Sequence, residues 1–214
     1  MASIRIKNLR KVKGIIVWDF DGVLFEMERY RQDSRRAYIN LGIPEEIILD
    51  ILAGLHKRKE NFSIARFIQE LRKRKVGISG RKIYKVNHTN LEEGDYYSPK
   101  MDALLYRLNR IGFRQMLLSF GSAPYQRKKM FFGCSAFFPK HFAKIMITSR
   151  PKYFMLLRVK KKYQNTPLIF IDNTKKNLEL AQIHVLGVRT IHYSNLSGVS
   201  LKNLEKKILL YAEK

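Results

Sequence analysis

A single cysteine, Cys134, occurs among the 214 residues. No intrachain disulfide can form, and a reducing, cytoplasmic compartment is the expectation. No apolar run approaches the roughly 18–20 residues that cross a bilayer, so no membrane partner is expected. The basic and then briefly apolar start, MASIRIKNLRKVKGIIVW, fails as a signal peptide because its apolar part runs straight into Asp19 and Asp21. Internal repeats and low-complexity linkers are missing. His56, His88, His141, His184 and His192 show no metal-ligand spacing and read as structural. There is no zinc knuckle, helix-turn-helix signature or aromatic-interleaved RNA motif.

Acids are scarce too. Asp and Glu total 18 against 42 Lys and Arg, a net charge of +24. Such a surface attracts anions, whether nucleic acid, anionic lipid or phosphorylated metabolites. The basic runs are scattered: Lys57-Arg58-Lys59, Arg72-Lys73-Arg74-Lys75, Arg127-Lys128-Lys129 and Lys160-Lys161-Lys162. Nucleic acid therefore stands as a possible partner on charge alone, against the plainer reading of a lysine-rich composition. Hydrophobic residues make up 45% of the chain, enough for one α/β domain or a core domain with a smaller insert.

Against that background, GIIVWDFDGVLF spends two acids in three positions at the end of a greasy run. Ile15 to Trp18 read as a short buried strand, and Gly22 permits a tight turn. The Arg-rich stretch after it predicts a helix ending near Gly42, and Pro44-Glu45-Glu46 opens another. Ile64, Phe67, Ile68 and Leu71 mark an amphipathic helix, and RKIYKVNHTNLEEGDYY is ambiguous. From Ser98 onward the pattern becomes regular: helix, strand FRQMLLSFG, helix, strand KIMITS, helix, strand TPLIFIDN, helix, strand VRTIHY and a closing helix. Alternation of this kind predicts a parallel sheet covered on both faces, with ligands beyond the carboxyl ends of its strands. Residues 26–97, helical and strand-poor, read as an insertion into a core formed by 1–25 and 98–214. Ile4 and Ile6 alternate with Arg5 and Lys7 and suggest an edge strand.

Three predicted strands end in residues capable of chemistry: Asp19 with Asp21, Ser119, and Asp172. One D-x-D is weak, since Asp commonly caps turns and helices. The conjunction is stronger. VWDFDGVLF, then MLLSFG ending at Ser119, then Lys152 in SRPKYF, then LIFIDN ending at Asp172 resembles the four motifs of the haloacid dehalogenase (HAD) superfamily, over residues 14 to about 192. The resemblance implies an α/β, Rossmann-like doubly wound core with a small helical cap at 26–97. It also implies a Mg²⁺-dependent phosphomonoesterase acting on a small phosphorylated substrate through an aspartyl-phosphate.

In that scheme Asp19 is the nucleophile, Asp21 the acid and base, and Lys152 the cation that offsets their charge, with Arg150 and Lys144 as alternatives. Ser119 and the amides at Phe120 and Gly121 would hold phosphate. Mg²⁺ would take the carboxylates of Asp19 and Asp172 and the backbone carbonyl of Asp21. An acid at position 21 points to phosphoryl chemistry, because dehalogenases of the superfamily lack it. The fourth motif departs from the usual pattern, since Asn173 and Asn177 stand where a second acid often does. Nucleotides or nucleic-acid ends are an alternative substrate, and a non-catalytic binding role on a degenerate scaffold is a further one. Arg29, Arg31, Arg35 and Arg36 are cap side chains that could face the site. Cys134 reads as packing.

Overall fold

The computed structural model describes residues 12–58, 60, 62–134, 138–196 and 198–213. The edge strand expected at Ile4 and Ile6 lies outside them. Five strands form one sheet: β1 (Gly14–Trp18), β2 (Phe113–Phe120), β3 (Lys144–Thr148), β4 (Leu168–Asp172) and β5 (Val188–His192). All pairings are parallel, in the order β3-β2-β1-β4-β5. The chain winds outward from β1 to β3, then crosses back to β4, so the strand order reverses beside β1. That reversal opens the crevice in which open α/β sheets bind ligands.

β1 is central and apolar on both faces because both faces are covered. Ile16 and Trp18 pack on one side, with α5 (Pro99–Arg110) and α9 (Leu201–Glu213). Ile15 and Val17 pack on the other, with α7 (Tyr153–Lys162) and α8 (Lys175–His184). The strand thus places nothing polar before Asp19. α6 (Ala123–Phe132) follows β2.

Between β1 and β2 lie four helices: α1 (Met27–Asn40), α2 (Glu45–Lys57), α3 (Ile64–Lys73) and α4 (Gly80–Glu93). They gather a separate apolar cluster around Tyr38, Ile51, Phe67 and Ile83. The ambiguous segment is α4, capped by Ser79, whose Oγ accepts the Lys82 amide at 3.3 Å. Its buried face runs Ile83, Asn87, Leu91, so a polar residue interrupts the apolar stripe. Asn87 is buried because it donates to the hydroxyls of Tyr30 at 2.6 Å and Tyr38 at 3.4 Å. The insert leaves and rejoins the core side by side: Phe25 bridges Tyr97, and the Glu26 amide donates to the Tyr96 carbonyl at 2.9 Å. Among the described residues no helix is long and apolar enough to cross a membrane.

Candidate active site

The adjoining ends of β1 and β4 bring Asp19 and Asp172 together. The Asp19 amide donates to the Ile171 carbonyl at 2.8 Å, which ties the two strand ends in register. Lys152, at the N-terminal end of α7, reaches in between. Its Nζ lies 2.6 Å from Asp19 Oδ1 and 2.7 Å from Asp172 Oδ2. Lys152 is only 5% exposed and Asp172 is fully buried. Of the alternative cations, Arg150 is exposed and forms no ion pair with either acid, and Lys144 starts the edge strand β3, at the end of the sheet away from the strand carboxyl ends.

Burial in this crevice pushes the Asp19 carboxyl up to about 7, against the pull of Lys152, with Asp172 adding repulsion. Burial also works to lower the Lys152 ammonium, but the two carboxylates outweigh it and raise it. When both acids are ionised the trio holds more negative charge than positive.

Asp172 is held by several donors. Besides Lys152, its oxygens accept the Thr174 amide at 2.7 Å and the Asn177 side chain at 3.1 and 3.2 Å. Asn177 therefore orients Asp172. Asn173 does something different. Its amide lies so close to Gly22 that a Cβ there would sit 2.3 Å from Asn173 Nδ2. Gly22 also has φ +76°, so the turn after Asp21 favours glycine, and the Asn173 side chain would have to shift to admit a Cβ there.

Ser119 ends on β2, next to β1, fully buried, and its Oγ has no hydrogen-bond partner. Unsatisfied buried hydroxyls are rare. One at this strand end suits an anionic ligand that brings acceptors. The Gly121 amide, expected beside it as a phosphate donor, is engaged by the Thr148 carbonyl at 2.9 Å. Phe120 borders the crevice.

Asp21 faces α6. Gln126 Nε2 donates to its Oδ2 at 2.8 Å and to the Phe120 carbonyl at 3.0 Å. Lys129 Nζ donates to Asp21 Oδ1. Lys129 belongs to the basic run Arg127-Lys128-Lys129, yet it is 1% exposed. Neither Gln126 nor Lys129 was legible as a site residue. The available signal was that Gln126, Lys129 and Met130 share one helical face on the element following the Ser119 strand.

The crevice is a cavity of about 650 Å³ bordered by Asp19, Asp21, Phe120, Lys152, Asn173 and Asn177. A second cavity, of about 480 Å³, lies among the insert helices and is lined also by Tyr125 of α6. Met27, Glu28 and Arg31 line both, so the two meet at the first turn of α1. Arg35 lines the second cavity, whereas Arg29 bonds the Asp95 carbonyl and Arg36 lies elsewhere, beside Asp33.

No protein-family model and no curated protein sequence matches the chain. Solved structures do. A haloacid dehalogenase-like hydrolase from Burkholderia xenovorans LB400 superposes with a TM-score of 0.68 at 14% identity, over 85% of this chain and 84% of that one. The fold is that of HAD-like hydrolases. L-2-haloacid dehalogenase from Xanthobacter autotrophicus shares this HAD-like fold at a TM-score of 0.55 and 14% identity, over 94% of this chain and 83% of that one. A HAD family enzyme from Bacteroides thetaiotaomicron, in complex with magnesium and inorganic phosphate, does so at 0.53 and 18%, over 91% and 99%. The HAD-like fold thus hosts more than one chemistry, and only side chains can choose between them.

Whether these side chains suit Mg²⁺ can be judged from the donors. Among the described residues no three His, Cys, Asp or Glu side chains converge as a ligand set. Mg²⁺ needs fewer, commonly one or two carboxylates completed by water and substrate phosphate. The Asp19 and Asp172 carboxylates with the Asp21 backbone carbonyl would offer such an all-oxygen set, and the surplus negative charge of the two acids beside Lys152 would suit a divalent cation.

Proposed function

We propose that the protein is a Mg²⁺-dependent phosphomonoesterase that works through an aspartyl-phosphate on Asp19. The observation carrying this reading is the Lys152 ammonium between Asp19 and Asp172, together with the unpartnered hydroxyl of Ser119 near the end of the neighbouring strand β2. An ammonium and a free hydroxyl donor thus accompany a carboxylate nucleophile. The magnesium and phosphate bound by the Bacteroides thetaiotaomicron enzyme are consistent with the same use of the fold.

An Asp19 oxygen attacks phosphorus, and the bond to the alcohol oxygen breaks. The leaving oxygen takes a proton from the Asp21 carboxyl. Asp21, now a carboxylate, removes a proton from water as the water oxygen attacks phosphorus. The Asp19–phosphorus bond breaks, inorganic phosphate forms, and Asp21 again holds the proton. Lys152 and Ser119 hold the phosphoryl oxygens throughout. Asp19, Asp172 and the Asp21 carbonyl would hold Mg²⁺, which would supply positive charge to the phosphoryl oxygens.

The direct test is phosphate release from an aryl phosphate with and without Mg²⁺. Ser119→Ala separates a ligand-binding hydroxyl from a structural one. Deleting an unpartnered buried hydroxyl should leave the melting temperature unchanged or higher, because no hydrogen bond is lost. KM for the ester should rise about tenfold, the worth of one hydrogen bond to a charged group. Both quantities come from one melting curve and one steady-state titration.

The leaving group is placed in the insert cavity. Its walls include Tyr30, Tyr38, Phe62, Phe67 and Tyr125, with Leu49 and Leu52 exposed along α2. Its volume lies in the range of small-molecule sites. An alcohol with a ring-bearing apolar body fits that lining. Leu52→Trp should lower kcat/KM for such esters about tenfold or more while sparing esters of short-chain alcohols, since a filled pocket rejects by size. The net charge of +24 favours delivery of anionic substrates, nucleotides and phosphorylated oligonucleotide ends included.

A further inference from the structure

Lys129 is a lysine in the wrong place for a solvated basic run. Its side chain is 1% exposed. Burying an ammonium is costly, and a packing role alone would be met by leucine or methionine. Three rings surround it: the centroids of Tyr125, Phe25 and Phe20 lie 5.2, 5.3 and 5.5 Å from Nζ. Met27 Sδ, at 3.8 Å, closes the cage. Aromatic faces help to hold a desolvated cation. The cage aims that cation at one acceptor, Asp21 Oδ1. One turn earlier on α6, Gln126 holds Oδ2 at 2.8 Å and anchors to the Phe120 carbonyl at the end of β2. Both carboxylate oxygens are thus fixed from a single rigid helix, which is separate from the Asp19–Lys152–Asp172 cluster.

We propose that Lys129, assisted by Gln126, is a positioning residue that orients the Asp21 carboxylate to activate the water that cleaves the aspartyl-phosphate. This rests on the phosphatase reading and assigns a residue to its second half. In that step Asp21 takes a proton from water, the water oxygen bonds to phosphorus, and the Asp19–phosphorus bond breaks. A carboxylate free to rotate about χ2 would meet the water in the right direction less often. Lys129 touches neither substrate nor phosphorus, so its loss should slow water attack and, for an ester whose leaving group needs no proton, leave phosphoryl transfer to Asp19 intact.

The test uses the full-length protein, Mg²⁺ and an aryl phosphate with a good leaving group, whose departure needs no proton. Lys129→Met keeps the length and suits the aromatic cage. kcat should fall about a hundredfold, the usual contribution of a positioned base, with kcat/KM unchanged and KM falling in step. Rapid mixing should show a burst of aryl alcohol equal to the enzyme concentration. Gln126→Leu should give the same signature more weakly. An unchanged kcat, or an equal loss in kcat and kcat/KM without a burst, overturns the proposal. A melting curve near wild type separates the effect from misfolding, and equal loss in a variant that still melts normally counts against it. Absence of phosphate release from the wild type would instead overturn the phosphatase reading.

Discussion

Asp19→Asn is expected to abolish phosphate release, by at least about a thousandfold, while making the metal-free protein more stable. The two effects share one cause. Asp19 is held in a buried crevice beside a second carboxylate, and burial pushes its carboxyl up to about 7 from an ordinary value near 3.8. Between those values the folded chain keeps a proton that the unfolded chain releases. The unfolded state then binds fewer protons, so this group's contribution to stability falls as pH rises from about 4 to about 7 and stays low above it. Asparagine keeps the oxygen that accepts the Phe20 amide at 2.7 Å and has no charge to desolvate. At pH 8 without metal the variant should melt a few degrees above wild type, and near pH 5 the gap should narrow. Mg²⁺ should raise the wild-type melting temperature more at pH 8 than at pH 6, because binding the carboxylate displaces the proton. Melting curves at three pH values, with and without Mg²⁺, check this. A variant that is inactive because it is misfolded would melt lower everywhere.

Lys152→Met should do the opposite to stability. It removes the ammonium that lies 2.6 and 2.7 Å from two buried carboxylates and leaves them facing one another. Breaking a buried ion pair from one side costs about 3–5 kcal/mol. Proton uptake by the pair relieves part of that, so the loss should be larger at pH 8 than at pH 5. Urea midpoints should fall with the slope unchanged, the mark of lost stability rather than altered compactness. Mg²⁺ should restore part of the midpoint, since it supplies positive charge to the same oxygens. Turnover should stay low, because the ammonium that cradles the phosphoryl group is gone. A variant as stable as wild type would show that the trio is not electrostatically coupled.

The parts legible in the sequence were those whose physics is local. A parallel strand covered on both faces must read as a continuous apolar run, so Ile15–Trp18 and Leu168–Ile171 announced themselves, and the acids just past them stood out. α4 stayed ambiguous because Asn87 interrupts its buried stripe, and its partners Tyr30 and Tyr38 lie 57 and 49 residues away. The same reason hid Lys129. α6 buries Gln126, Lys129 and Met130 on one face, so its inward side is mostly polar and looks like a solvated one. Only the fold shows that Asp21, 108 residues earlier, is the group this lysine serves.

The claim on which all of this depends is that Asp19 carries the phosphoryl group. The most direct measurement is a rapid acid quench of the protein during turnover of an aryl phosphate with Mg²⁺, followed by peptide mass spectrometry. The account predicts one phosphoryl adduct on the peptide containing Asp19, enriched in Lys129→Met and missing in Asp19→Asn. Wild-type turnover with no adduct on that peptide, or with the adduct on another residue, would contradict it.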